Sequence, residues 1–179
     1  IRTLALDEGS RTSVALIQIL LNERFGIEPE LQSLPIGENT TDTQADAILL
    51  IGDRAIHPPA EKFAAVWDLG DQWCRWAELP FVFAMWTARP GVDVGSLGEV
   101  LAGARDAGLA NLEQIAEAEA ATVGLTSDEC LHYFRHNLHF TLGERERQGL
   151  ERFRQLAAAR ELAPTEGALR FADCLPSPR

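Results

Sequence analysis

The sequence predicts an α/β fold built on a parallel sheet, and two observations carry the prediction. Short apolar runs flank a segment of helical periodicity in the first third of the chain. The run Ala47-Ile48-Leu49-Leu50-Ile51 is unbroken by polar residues, the pattern of a strand covered on both faces, as parallel strands are. A strand–helix–strand succession of this kind builds parallel crossovers.

The elements follow in order. Thr3-Leu4-Ala5-Leu6 predicts a strand over residues 1–6. Val14, Leu16, Ile17, Leu20 and Leu21 recur at helical spacing and predict a helix over 10–25, with Gly26 as its C-cap. Residues 28–35 alternate weakly and predict a second strand. The polar stretch 37–44 reads as a loop or the start of a short helix. Residues 46–51 form the third strand, stopped by Gly52-Asp53. The aromatic residues Phe63, Trp67, Trp73, Trp76, Phe81, Phe83 and Trp86 read as core packing, the alternative being a pocket wall for a planar ring. Residues 79–86 predict a strand beginning just before Pro80, and Pro90-Gly91 break the chain. Residues 96–123 read as two helices separated near Gly108. Thr126-Ser127-Asp128-Glu129 has the form of a helix start. Beyond Gly143, residues 144–162 predict a long helix ended by Pro164, and the tail 175–179 is expected to fray.

The helices after residue 90 have one predicted strand, 79–86, to cover, which cannot serve them all. The chain also enters its first strand at Ile1-Arg2-Thr3 without an initiator Met. Both features lead to the expectation that part of the fold lies outside this sequence.

Composition narrows the function classes. Sixteen basic against 27 acidic residues give a net charge of −11, and 46% of residues are hydrophobic. That is a globular composition with no basic face for nucleic acid. No apolar run is long enough to span a membrane, and no signal peptide is visible. Cys74, Cys130 and Cys174 are widely spaced without a C-x-x-C pair, which fits a reducing cytoplasm. An anionic ligand would have to be held by local dipoles against the overall field.

Asp7-Glu8-Gly9-Ser10-Arg11-Thr12-Ser13 joins the first strand to the first helix. Unpaired amides and the positive end of the helix dipole make such a junction a candidate carboxylate or phosphate site. The plainer reading is a Ser/Thr N-cap. Leu50-Ile51-Gly52-Asp53-Arg54 places an acid and a base immediately after the third strand, and ligands of open α/β sheets bind outside the carboxyl ends of strands. Gly52 and Asp53 are therefore candidates for the same cleft, with a capping turn as the plainer reading. His132, His136 and His139 fall at i, i+4 and i+7, but the surrounding Phe134, Leu138 and Phe140 read as a packed amphipathic segment, so no metal is expected. His57, ahead of Pro58-Pro59, reads as a loop residue. No nucleophile elbow, P-loop or dinucleotide fingerprint is present, and no cofactor is expected.

Three segments together resemble a known family: Ala5-Leu6-Asp7-x-Gly9-Ser10-Arg11-Thr12-Ser13, then Leu49-Leu50-Ile51-Gly52-Asp53-Arg54-Ala55, then Asp68-Leu69-Gly70-x-x-Trp73-x-x-Trp76-x-x-Leu79-Pro80-Phe81-Val82-Phe83-Ala84-x-Trp86. With Asn137-Leu138-His139-Phe140-x-Leu142-Gly143-x-Arg145-Glu146-x-x-Gly149-Leu150-x-x-Phe153, they resemble the MqnA family, the chorismate dehydratases of the futalosine route to menaquinone. The resemblance implies a two-lobed, periplasmic-binding-protein-like (type II) fold with an incomplete first lobe. On that pattern residues 1–80 form the second lobe, and residues 81–179 return to the first as a mainly helical portion. It also implies a small dicarboxylate substrate, for which the helix-terminus and strand-end arguments above offer Ser10, Arg11, Thr12, Ser13, Gly52 and Asp53 as binding residues. Family members begin with a further stretch that has no counterpart here and carries the chemistry, so no catalytic residue is assigned and this chain alone is expected not to turn over. The alternatives are a non-catalytic small-anion binding module of the same fold and the sister lyase that cleaves a cyclic futalosine derivative. The Ser-Arg-Thr-Ser and Ile-Gly-Asp motifs favour the dehydratase.

Overall fold

In the computed structural model, residues 1–57, 59–89, 91–165, 167 and 169–171 are described. Pro58, Pro90, Cys174 and the 175–179 tail lie outside them. By compactness the chain divides into two units, one of Ile1–Met85 with Gly143–Gly167 and one containing Trp86–Leu142.

The first unit is mixed α/β. Strand β1 (Thr3–Asp7) lies in the middle of a three-stranded parallel sheet, between β2 (Glu30–Leu34) and β3 (Ala47–Leu49). Register is set by Thr3 opposite Glu30 and Leu4 opposite Ala47. Asp46 fixes the start of that register. Its carboxylate accepts from the amides of Arg2 (2.7 Å) and Thr3 (3.1 Å), while its own amide donates to the Thr3 hydroxyl at 2.9 Å. Those two amide hydrogen bonds, Arg2 first, hold the Asp46 carboxyl below its ordinary pKa. β3 is shorter than the apolar run suggests and lies at a sheet edge, so Leu49 is buried while Ala47 and Ile48 are only half-buried. The expected covering of both its faces is not complete.

Helix α1 (Arg11–Phe25) begins at Ser10 and ends at Gly26, whose φ of 64° is the left-handed conformation that glycine adopts without strain. Its amide donates to Asn22 O at 2.8 Å. α1 is apolar on two sides because it is covered on two sides. Ile17 and Leu21 meet Leu4 and Leu49 of the sheet. Leu16, Ile19 and Leu20 meet Trp73, Leu156 and Ala157.

Those partners come from helix α3 (Leu69–Ala77) and helix α7 (Glu144–Ala159). The short helix α2 (Asp53–Ile56) precedes α3 in the chain. α3 is capped by Asp68, which accepts from the Asp71 amide at 2.8 Å, and it places Leu69, Trp73 and Trp76 on one face. Trp73 is fully buried and meets Trp76, Phe81 and Phe153 edge-on, at ring-centroid distances of 5.7, 5.4 and 6.1 Å. The core reading of these aromatics holds for Trp73, whereas Trp86 is 83% exposed. Residues 79–86 form no strand. They pair with no strand among the described residues, and Phe81 packs into the aromatic cluster instead. α7 grips this segment: Arg145 donates to Glu78 O at 2.7 Å, and Gly149 faces the Pro80 carbonyl. Arg160, just past α7, pairs with Glu23 of α1 at 2.6 Å. Residues 143–167, placed by sequence with the 81–179 return segment, thus cluster with β1 and α1.

The second unit is helical. It contains α4 (Leu97–Ala110), α5 (Leu112–Glu119), a 3-10 turn (Ala120–Val123) and α6 (Ser127–His136). The break between the first two falls at Asn111, just past Gly108, which is still inside α4. α6 opens with a capping box: the Thr126 amide donates to Glu129 Oε2 at 2.8 Å and the Glu129 amide to Thr126 Oγ1 at 3.3 Å. Ala116, Ala120 and Cys130 form a small core with Leu125, Leu131 and Phe134. α4 buries none of its residues, and Leu97, Val100 and Leu109 are exposed. No described helix is long and apolar enough to cross a membrane.

Candidate functional site

The loops that leave the sheet at its carboxyl edge carry the candidate residues. Asp7 ends the central strand and is only 2% exposed. One of its carboxylate oxygens, Oδ1, accepts from the Gly9 amide at 3.0 Å, which turns the chain toward α1. Gly9 lies against Ile51: a Cβ there would stand 2.7 Å from the Ile51 Cδ1 methyl and 3.2 Å from Asp7 Oδ1. The loop after β1 and the turn after β3 are therefore in contact.

Ser10 is the N-cap of α1. The Ser13 amide donates to Ser10 Oγ at 3.1 Å, and the Ser10 hydroxyl donates to Ser13 Oγ at 3.0 Å. The plainer reading of this stretch thus describes Ser10 itself. Ser13 is buried, Thr12 half-buried and Arg11 exposed. The amides of Arg11 and Thr12 belong to the first turn, whose N–H groups have no intrahelical partner. With the Thr12 hydroxyl they are the donors this turn still offers to an anion.

Gly52 adopts φ 56° and ψ −138°, a backbone conformation that side chains disfavour, and so allows the sharp turn into α2. Asp53 is exposed in the first turn of that helix. Arg54, next along, folds back across the sheet edge. Its Nη1 pairs with Asp7 Oδ2 at 3.2 Å and lies 3.4 Å from Pro35 O, and its Nη2 donates to Glu38 O at 2.8 Å. The structure brings Gly9 beside Ile51 and binds Ser10 to Ser13, and the charge pair it builds is Asp7–Arg54. Neither of those two was singled out as a site residue, although an acid closing one buried strand and a base following another was visible in the sequence. Beside them the Ser33 hydroxyl donates to Glu8, and Leu6, Asp7, Glu8, Val14, Leu31, Gln32 and Ser33 line an open depression of about 300 Å3.

The three histidines do not share one helical face. α6 ends at His136, with the His132 and His136 rings 4.4 Å apart, and His139 lies beyond it.

Comparison with known proteins sharpens the picture. The chain is 36% identical over 166 residues to chorismate dehydratase of Thermus thermophilus, an alignment covering 83% of this chain and 60% of that relative. The chain thus spans about 60% of the length of that curated relative. A family model described as menaquinone biosynthesis matches residues 2–159. This chain, with its serine-capped junction at the end of a central parallel strand, belongs to that menaquinone biosynthesis family.

Proposed function

We propose that this chain acts as, or within, a chorismate dehydratase of menaquinone biosynthesis, a carbon–oxygen lyase that works in the cytoplasm without a cofactor. The reaction removes water from chorismate to give 3-[(1-carboxyvinyl)oxy]benzoate. A hydroxyl leaves one ring carbon, a proton leaves its neighbour, and the ring becomes aromatic, so the driving force belongs to the substrate. The protein's task is to hold a dianion in one orientation and ease departure of the hydroxyl.

The observation that carries the reading is the first turn of α1, presented at the carboxyl end of the central strand with Ser10 holding it in shape. In this proposal one substrate carboxylate sits on the Arg11 and Thr12 amides and the Thr12 hydroxyl. Ser10 and Ser13 keep the turn rigid, Arg11 adds a charge-assisted bond, and Gly52 and Asp53 edge the same cleft. The similarity to the Thermus enzyme supports the choice of substrate. The proposal also includes a two-lobed, periplasmic-binding-protein-like fold of type II, in which residues 1–80 form the second lobe and residues from 81 onward cross back toward the first before Gly143–Gly167 returns to the second. The test is incubation of the full-length protein with chorismate, following the aromatic product by absorbance and chromatography. An unchanged chorismate peak, together with no binding by calorimetry, refutes the proposal. Cleavage of a cyclic futalosine derivative instead would identify the sister lyase.

A further inference from the structure

We infer that Asp7 and Arg54 are positioning residues, a clasp that fixes the residue 8–13 junction and cancels the charge beneath it; the inference builds on the carboxylate-binding role proposed for that junction. Three observations lead there. Asp7 divides its two oxygens between the Gly9 amide and the Arg54 guanidinium, so the turn into α1 and the turn after β3 hang on one buried carboxylate. Arg54 also reaches the carbonyls of Pro35 and Glu38, so a single guanidinium joins the segments that follow all three strands. Its donors are thereby directed at oxygens of the protein itself, which suits a strut rather than a ligand contact. A planar fork with five donors can span such a set, and a lysine cannot.

The electrostatic consequence is specific. A buried carboxylate three residues before the α1 cap would repel an incoming dianion in a chain that already carries a net charge of −11. Arg54, whose side chain is 25% exposed, neutralises Asp7 where solvent cannot.

The experiment has two arms. The first measures amide hydrogen exchange in the absence of ligand. In Arg54→Gln the Gly9 amide and the amides of residues 36–39 are expected to exchange about tenfold faster or more, the equivalent of one lost charge-assisted hydrogen bond, with α7 unchanged. Arg75→Gln, which removes an equal charge from the exposed pair with Asp71, is expected to leave those amides unchanged. Unaltered exchange in Arg54→Gln overturns the clasp whether or not chorismate binds. The second arm titrates chorismate. Arg54→Gln is expected to weaken binding about tenfold, and the double variant Asp7→Asn/Arg54→Gln to recover most of that loss, because the uncompensated charge is gone. A double variant as weak as the single one would overturn the cancellation of charge at Asp7. Wild-type protein that binds no chorismate would refute the proposed function, and the exchange arm alone would then decide the clasp.

Discussion

Gly149 offers the sharpest test of how the first unit is assembled. It is buried on α7, and a Cβ at that position would stand 2.0 Å from the Pro80 carbonyl oxygen and 3.2 Å from its carbon. Ordinary contact begins near 3.4 Å, so Gly149→Ala forces α7 or the residue 79–80 backbone to retreat by more than an ångström. The obstacle is main chain, pinned by the Arg145 hydrogen bond to Glu78 O, and cannot swing aside as a side chain would. Overpacking of this kind costs about 1–3 kcal/mol, and the rigid obstacle points to the upper end. Alanine returns about 1 kcal/mol as the better helix former. The net expectation is a loss of about 2 kcal/mol, or a fall of about 4–8 °C in Tm for a chain of this size. Gly103, inside α4, is the control, because a Cβ there meets nothing within 4 Å. Gly103→Ala should stabilise by up to about 1 kcal/mol. Urea titrations followed by circular dichroism and tryptophan fluorescence measure both variants. A Gly149→Ala protein as stable as wild type would show that α7 does not rest on the 79–80 backbone.

Further expectations concern the core, the surface and the site. Among the described residues, the buried indole N–H of Trp73 has no acceptor, so Trp73→Phe should cost about 1 kcal/mol or less and Trp73→Ala about 3–5 kcal/mol in denaturant titrations; equal losses would refute this. Hydrogen bonds from Arg154, first, and then from Gln155 hold the Glu151 carboxyl down to about 2. A depressed carboxylate contributes stability at pH values above the ordinary glutamate range and loses it as pH falls toward 2, so Arg154→Ala should bring the Glu151 titration, read by NMR, back toward 4.5. Thr12→Ala should weaken chorismate binding by about 1–2 kcal/mol in calorimetry, a lost hydrogen bond to a charged group, and unchanged affinity would remove Thr12 from the site.

What could be read from the chain depended on whether the cause was local. Ser10, Gly26 and the Thr126–Glu129 box act on amides within a few residues, and each sits in the structure where its type predicts. Residues 79–86 have a strand's composition, but a strand is stabilised by a neighbour's ladder, and here Phe81 finds its partners in Trp73 and Phe153 instead. α3 was legible in retrospect from Asp68 followed by Leu69, Trp73 and Trp76 at helical spacing, which the density of aromatics obscured. The candidate site divides in the same way. The capped junction follows from residues 7–13 alone. The Asp7–Arg54 pair joins positions 47 residues apart, and only the parallel crossover that lays β3 beside β1 could bring them together.

The sheet order has a consequence for how the chain is made. β1 precedes both of its partners in sequence yet occupies the middle of the sheet. During synthesis its two rows of amides and carbonyls therefore stay unpaired until Glu30–Leu34 and then Ala47–Leu49 have emerged. At cellular translation speeds the gap from Asp7 to Leu49 lasts on the order of 2–8 s. Throughout that interval Leu4, Leu6 and the leucine-rich face of α1 are available to any passing hydrophobic surface. A nascent chain of this design leaves an adhesive segment exposed while its sheet partners are still being made, and its yield in a cell should respond to chaperone capacity more steeply than its equilibrium stability alone would indicate.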